Sequence, residues 1–239
     1  MKSNYKFSKF ITLFLLLLSL IFPPAPASAD TVLPPETSAE SPHSSIQHPT
    51  IPDLISNDSL APLVFHYHPK YQESLASLLS QASDIRDKVL NDFPNAPLPK
   101  IHIYLLPEIE RYFTSLDQPA RSPHWASGLA LLSQNVILIR LNVAVPGGKL
   151  ELDRTLGHEL SHVILHHMSH NQPLPHWFIE GLAMYQTEPW TIERSQPLTD
   201  ALKLGKLLPL SSFSERFPAD HLTAQLAYAE SAHFFFWLD

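Results

Sequence analysis

Apolar residues recur with two different periods along this chain, and each change of period marks a change of element. Residues 63 to 68, LVFHYH, alternate well enough for a strand. From Pro69 to about Leu90 the apolar residues Leu75, Leu78, Leu79, Ala82, Ile85, Val89 and Leu90 fall three and four apart, which predicts a helix with one buried face. NDFPNAPLP then reads as a loop, KIHIYLL at 100 to 106 as a second strand, and PEIERYFTSL as a short helix opened by its Pro. In HWASGLALLSQNVILIRL two apolar runs flank Ser133-Gln134-Asn135, so a hairpin fits, and Val136 to Leu141 is the strongest strand pattern. Pro146-Gly147-Gly148 breaks the pattern, and a helix is expected from about Lys149 to His167.

Further helices are expected from near His176, within LTDALKLGKLLPL with Gly205 near its end, and from Asp220 onward. On the last, Leu222, Leu226, Ala227, Ala229, Phe234 and Leu238 are the candidates for a buried face. Strands come first and helices later, which predicts an α+β domain. Residues 30 to 62 differ from all of this. They are rich in Pro, Ser and Thr without a sustained apolar period, and they read as a disordered spacer, or alternatively as a propeptide over an active site.

Composition adds an address. Lys2, Lys6 and Lys9 precede an apolar run from Phe10 to Phe22 and a small-x-small site at Ala27-Ser28-Ala29, the three parts of an export signal over residues 1 to 29. The run is shorter than the roughly 20 residues needed to span a bilayer, and no other stretch is long enough. Cleavage after Ala29 is expected, with an uncleaved anchor as the alternative; the cleaved chain has no integral membrane span and is expected in the periplasm, the cell envelope or the medium. There is no Cys, so no disulfide supports the fold. Loss of the three leader lysines takes the formal charge from −7 to −10, which argues against nucleic acid as a partner and leaves no basic patch for anionic lipid. Residues 63 to 239 are the size of one domain with one core. The oligomeric state is left open.

Candidate chemistry concentrates in TLGHELSHVILHH. His158 and His162 lie four apart, on one helix face about 6 Å apart along the axis, where two imidazoles can converge on one metal ion. Glu159, rotated by about 100°, can reach a water on that ion. With 14 His and 12 Glu in the chain, chance supplies roughly 0.04 occurrences of H-E-x-x-H. A catalytic zinc needs a third protein ligand. His166 follows His158 by eight residues, about 12 Å along the axis and too far to share an ion. His166, His167 and His170 are therefore read as exposed helix-end residues. Leu165 and Met168 stand where a H-E-x-x-H-x-x-G-x-x-H pattern needs Gly and His, which excludes that class. The helix expected after His176 offers Glu180 instead.

HELSH followed by WFIEGLA resembles the glutamate-type zincins, or gluzincins, and in particular the peptidase MA-like proteins related to the aminopeptidase N and thermolysin groups. The resemblance implies an α+β zincin-like domain over residues 63 to 239, with a small mixed sheet and an active-site helix packed against C-terminal helices. It implies a Zn2+ ion held by His158, His162 and Glu180, and a zinc-bound water activated by Glu159 to hydrolyse a peptide or protein substrate. Ile179 stands where the aminopeptidase N branch carries Asn. HWASGLALLSQNVILIRL resembles the strand pair beside the zincin cleft, and QLAYAESAHFFFWL a segment where the family places a Tyr. Tyr228 is thus the candidate donor to the oxyanion, with packing on a terminal helix as its alternative, and His233 a candidate second donor. FFFWLD ends inside an apolar helical pattern, which reads as a shortened C-terminus and motivates a second expectation: a zinc-binding, non-catalytic envelope scaffold on the same fold. A metal-free module with incidental histidines is a third.

Overall fold

The computed structural model describes residues 48–93, 95–119, 126–141, 152–170, 172–188 and 191–238. The expected leader, residues 30–47 of the expected spacer, the Pro146-Gly147-Gly148 break and residues 149–151 of the expected active-site helix lie outside the described residues. Five strands, β1 (Ile55–Leu60), β2 (Leu63–Tyr67), β3 (Ile101–Leu106), β4 (Gly128–Leu131) and β5 (Val136–Arg140), form one sheet in the order β1-β2-β3-β5-β4. β2, β3 and β5 run parallel, while β1 and β4 are antiparallel edges. Six α-helices are described: α1 (Gln72–Leu90), α2 (Glu110–Thr114), α3 (Leu152–Met168), α4 (His176–Thr187), α5 (Ile192–Leu204) and α6 (His221–Leu238). The protein is α+β, as its pattern predicts.

Alternation in the strands assigns the two sheet faces. Ile101, Ile103, Leu105, Ile137 and Ile139 point to the side where α1 brings Leu75, Leu78 and Ala82, and α3 brings Leu152, Leu156, Leu160 and Val163. Tyr104, Leu106, Val136 and Leu138 point to the opposite side and pack with Ile109, Tyr112 and Phe113 from the α2 region. A third cluster joins the helices without the sheet: Val89, Ile164, Leu165, Phe178, Leu182 and Phe235. That cluster fixes how α3, α4 and α6 sit on one another, and the candidate site lies among these three helices.

Four sequence expectations need correction. Residues 55–60, within the segment read as spacer, form β1, because its polar residues need only backbone pairing with β2 at the sheet edge. Pro107 precedes α2 rather than opening it, since the helix begins at Glu110. α5 begins at Ile192, capped by the Thr191 side chain, and contains Pro197; it ends at Gly205, whose φ of 62° is the left-handed conformation of a helix stop. On α6 the buried residues are Ala227, Ala229, Ser231, Ala232 and Phe235, whereas Leu222 is 77% exposed. Small residues are buried there because α4 approaches closely, a fact the apolar period does not encode. No helix among the described residues is long and apolar enough to cross a membrane.

Candidate metal centre

α3 places its chemistry by burying the rest of itself. Leu156, Leu160, Val163 and Ile164 are fully buried, which fixes the rotation of the helix and leaves His158 and His162 half-buried on another face. Their rings meet edge to face with centroids 4.6 Å apart. α4 supplies Glu180 opposite them. His158 Nε2 lies 3.2 Å from Glu180 Oε2, and His162 Nε2 lies 3.6 Å from Glu180 Oε1.

These three residues offer one ligand atom each, all within 4.8 Å of one another. Donors bonded at 2.0–2.1 Å around a tetrahedron sit about 3.3 Å apart, so the two contacts to Glu180 have the separations of tetrahedral edges. A donor set of two imidazoles and a carboxylate suits zinc and leaves a fourth position for water. His166, His167 and His170 are not part of the group. His167 is half-buried rather than exposed: its Nε2 lies 2.7 Å from Asn135 Oδ1, which joins the end of α3 to the β4–β5 turn. Asn135 is left-handed, at φ 53°, as that turn requires. His166 is half-buried too, and only His170 is exposed as expected.

Charge in the site is set by burial and by mutual contact. Burial drives the Glu180 carboxyl up, but the charges of His162 and His158 and the hydrogen bond with His158 overcome it and hold the group at about 2. Burial lowers His162 to about 4, and the His158 charge adds to this against Glu180. Burial also opposes a charge on His158, yet its bond to Glu180 and the Glu180 and Glu159 charges raise it above the usual imidazole value. Glu159 is 7% exposed. Burial pushes its carboxyl up to about 7; the His158 charge and a hydrogen bond with the Ala130 backbone pull the other way, while the Glu180 charge adds to the rise.

Tyr228 stands within electrostatic reach of this group. Burial, followed by the Glu180 and Glu159 charges, holds its phenol well above the usual value, so it keeps its proton and remains a donor. Its ring packs against Phe217 at 4.5 Å. His233 is exposed and lines a groove of about 390 Å³ with Leu198, Leu207, Glu230 and Trp237.

Two residues of the site's frame escaped the sequence reading. A Cβ on Gly181 would come 2.4 Å from the Ser231 backbone oxygen, so only Gly lets α4 lie this close to α6. Because Gly181 follows Glu180 and Ser231 is one turn after Tyr228, this contact sets the distance between those side chains. Gly128 on β4 is the second, where an added Cβ would lie 2.6 Å from Glu159 Oε1. The Gly after Glu180 was visible in EGLA; nothing in SGLAL marks Gly128 as a neighbour of α3. A family model described as the Peptidase MA superfamily matches residues 96–238. No curated protein and no solved structure matches the chain.

Proposed function

The chain belongs to the peptidase MA superfamily, and from that membership we propose that it is an exported, zinc-dependent peptidase of the gluzincin type. The observation that carries the proposal is the convergence of His158, His162 and Glu180 within 4.8 Å, with Glu159 beside them on α3. Zinc in that position supplies a Lewis acid for the scissile carbonyl and for the attacking water. Glu159 takes the proton of that water and passes it to the leaving amine. A carboxyl with a pKa near 7 is suited to both halves of that transfer. Tyr228 donates its phenolic proton in a hydrogen bond to the oxygen that gains charge in the tetrahedral intermediate. The leader pattern over residues 1 to 29 supports delivery outside the cytoplasm, where the substrate is a peptide or a protein.

Metal analysis and cleavage of a mixed peptide library test the proposal together. The wild-type chain is expected to carry one zinc and to turn over peptides. Glu159→Gln should keep the zinc and lose turnover by about 10²-fold or more, and His162→Ala should lose both. Zinc without any turnover in the wild type favours the non-catalytic scaffold instead. Full turnover in Glu159→Gln removes that residue as the base.

A further inference from the structure

On the reading that Glu159 is the general base, we propose that Gly128 is its positioning residue, a gap in edge strand β4 into which the Glu159 carboxylate is fitted. A Cβ at Gly128 would lie 2.6 Å from Glu159 Oε1, 2.9 Å from Glu159 Cγ and 2.8 Å from Thr155 Cγ2. All three are closer than a side-chain carbon tolerates, and two of the three atoms belong to Glu159. Gly128 is not needed for its backbone freedom, since Gly205 is the positive-φ glycine among the described residues. Space is the requirement.

The confinement comes from both sides. Thr155 lies one turn before Glu159 on α3, so its methyl closes the N-terminal side of the seat. Ala130, two residues after Gly128 on β4, donates a backbone hydrogen bond to the Glu159 carboxylate. β4 is held in place by pairing with β5, with Gly128 opposite Ile139 and Ala130 opposite Ile137. One strand thus seats the base twice, by lacking a side chain at 128 and by a backbone hydrogen bond at 130.

The colliding atoms decide what a side chain at 128 does. They are side-chain atoms, Oε1 and Cγ of a flexible Glu and the methyl of Thr155, not backbone, so Gly128→Ala is absorbed by swinging the whole Glu159 side chain aside and turning the Thr155 methyl away. The fold is spared and the base is misplaced. A displacement of about 1 Å at a reacting group costs on the order of 10²-fold in rate.

The test uses the full chain with Gly128→Ala, Glu159→Asp and the double variant. Gly128→Ala is expected to keep its zinc, its KM and its thermal midpoint while kcat falls about 10²-fold. Asp is one methylene shorter and withdraws from the new Cβ, so Glu159→Asp should cost less in the Gly128→Ala background than in the wild type. Strictly additive losses overturn the proposal. A crystal structure of Gly128→Ala gives a readout independent of turnover: the Glu159 carboxylate should leave Ala130, and a carboxylate still in its wild-type place overturns the proposal. If Gly128→Ala alone fails to fold, the double variant should fold, and failure of both places the collision in the strand–helix packing and also overturns it. A dead Glu159→Gln beside a fully active Gly128→Ala sinks this inference and leaves the peptidase reading standing, whereas a fully active Glu159→Gln sinks that reading itself.

Discussion

Glu159 and Glu180 are both carboxylates on buried helix faces, yet their surroundings drive them in opposite directions. Glu180 faces two imidazoles and is held at about 2, while Glu159 is set mainly by burial and rises to about 7. On the proposed function, this divergence suits Glu180 to hold a metal, for which it must stay charged, and Glu159 to act as a base, which must accept and release a proton. Tyr228 belongs to the same scale. Its hydroxyl is the only part removed in Tyr228→Phe, and the Phe217 contact keeps the ring in place. That variant is expected to bind zinc normally and to lose about 10²-fold in kcat with little change in KM, measured by steady-state kinetics on a cleaved library peptide. His158, Glu159 and His162 were legible because helical spacing alone puts them together. Glu180 was legible through its motif. The seat of Glu159 was not, because Gly128 has no side chain to form a pattern and lies 31 residues away.

At the scale of elements, the contact between α4 and α6 governs the site. Gly181 lies against the Ser231 backbone oxygen and the Phe235 ring, and backbone cannot swing aside as a side chain does. Gly181→Ala should therefore force the helices apart, destabilise the protein by about 1–3 kcal/mol and weaken zinc retention by displacing Glu180. Urea denaturation and dialysis against a chelator read the two effects; an unchanged midpoint would show that the helices have slack. The strongly periodic helices α1, α3 and α4 and the β4–β5 hairpin were readable within a few residues. β1 was not, because a polar edge strand carries no apolar alternation and is defined by its partner β2. Of the α6 face only Ala227 and Ala229 were readable, since a helix buried through alanines, one Ser and one Phe shows almost no apolar stripe.

On the molecule as a whole, the outer sheet face carries a second histidine group. His66 Nε2 lies 2.8 Å from His102 Nδ1, and the His48 ring stacks on His102 at 3.7 Å. Burial, then the His48 charge, then Lys100 lowers His66 to about 4, and the same causes with His66 added lower His102 to about 4. Unfolded histidine titrates near 6.5. Between these values the unfolded chain binds more protons, so this contribution to stability is complete above about pH 6.5 and is lost as pH falls toward 4. Solvent screening at these half-buried rings limits it to on the order of 1 kcal/mol per group. His66→Asn should flatten stability across that window, as denaturant midpoints at pH 7 and 5 would reveal; equal slopes in the two proteins would count against it.

The sequence by itself determined the α+β class, the run of helices and the local pair of imidazoles with its neighbouring carboxyl. Each of these follows from interactions within a few residues of one another, where periodicity and spacing are sufficient. Only the tertiary structure decided that β1 joins the sheet, that Gly181 sets the α4–α6 distance and that Gly128 leaves room for Glu159. Those are contacts between residues distant in the chain, made by backbone or by the absence of a side chain, and close packing gives them meaning only once the chain has folded.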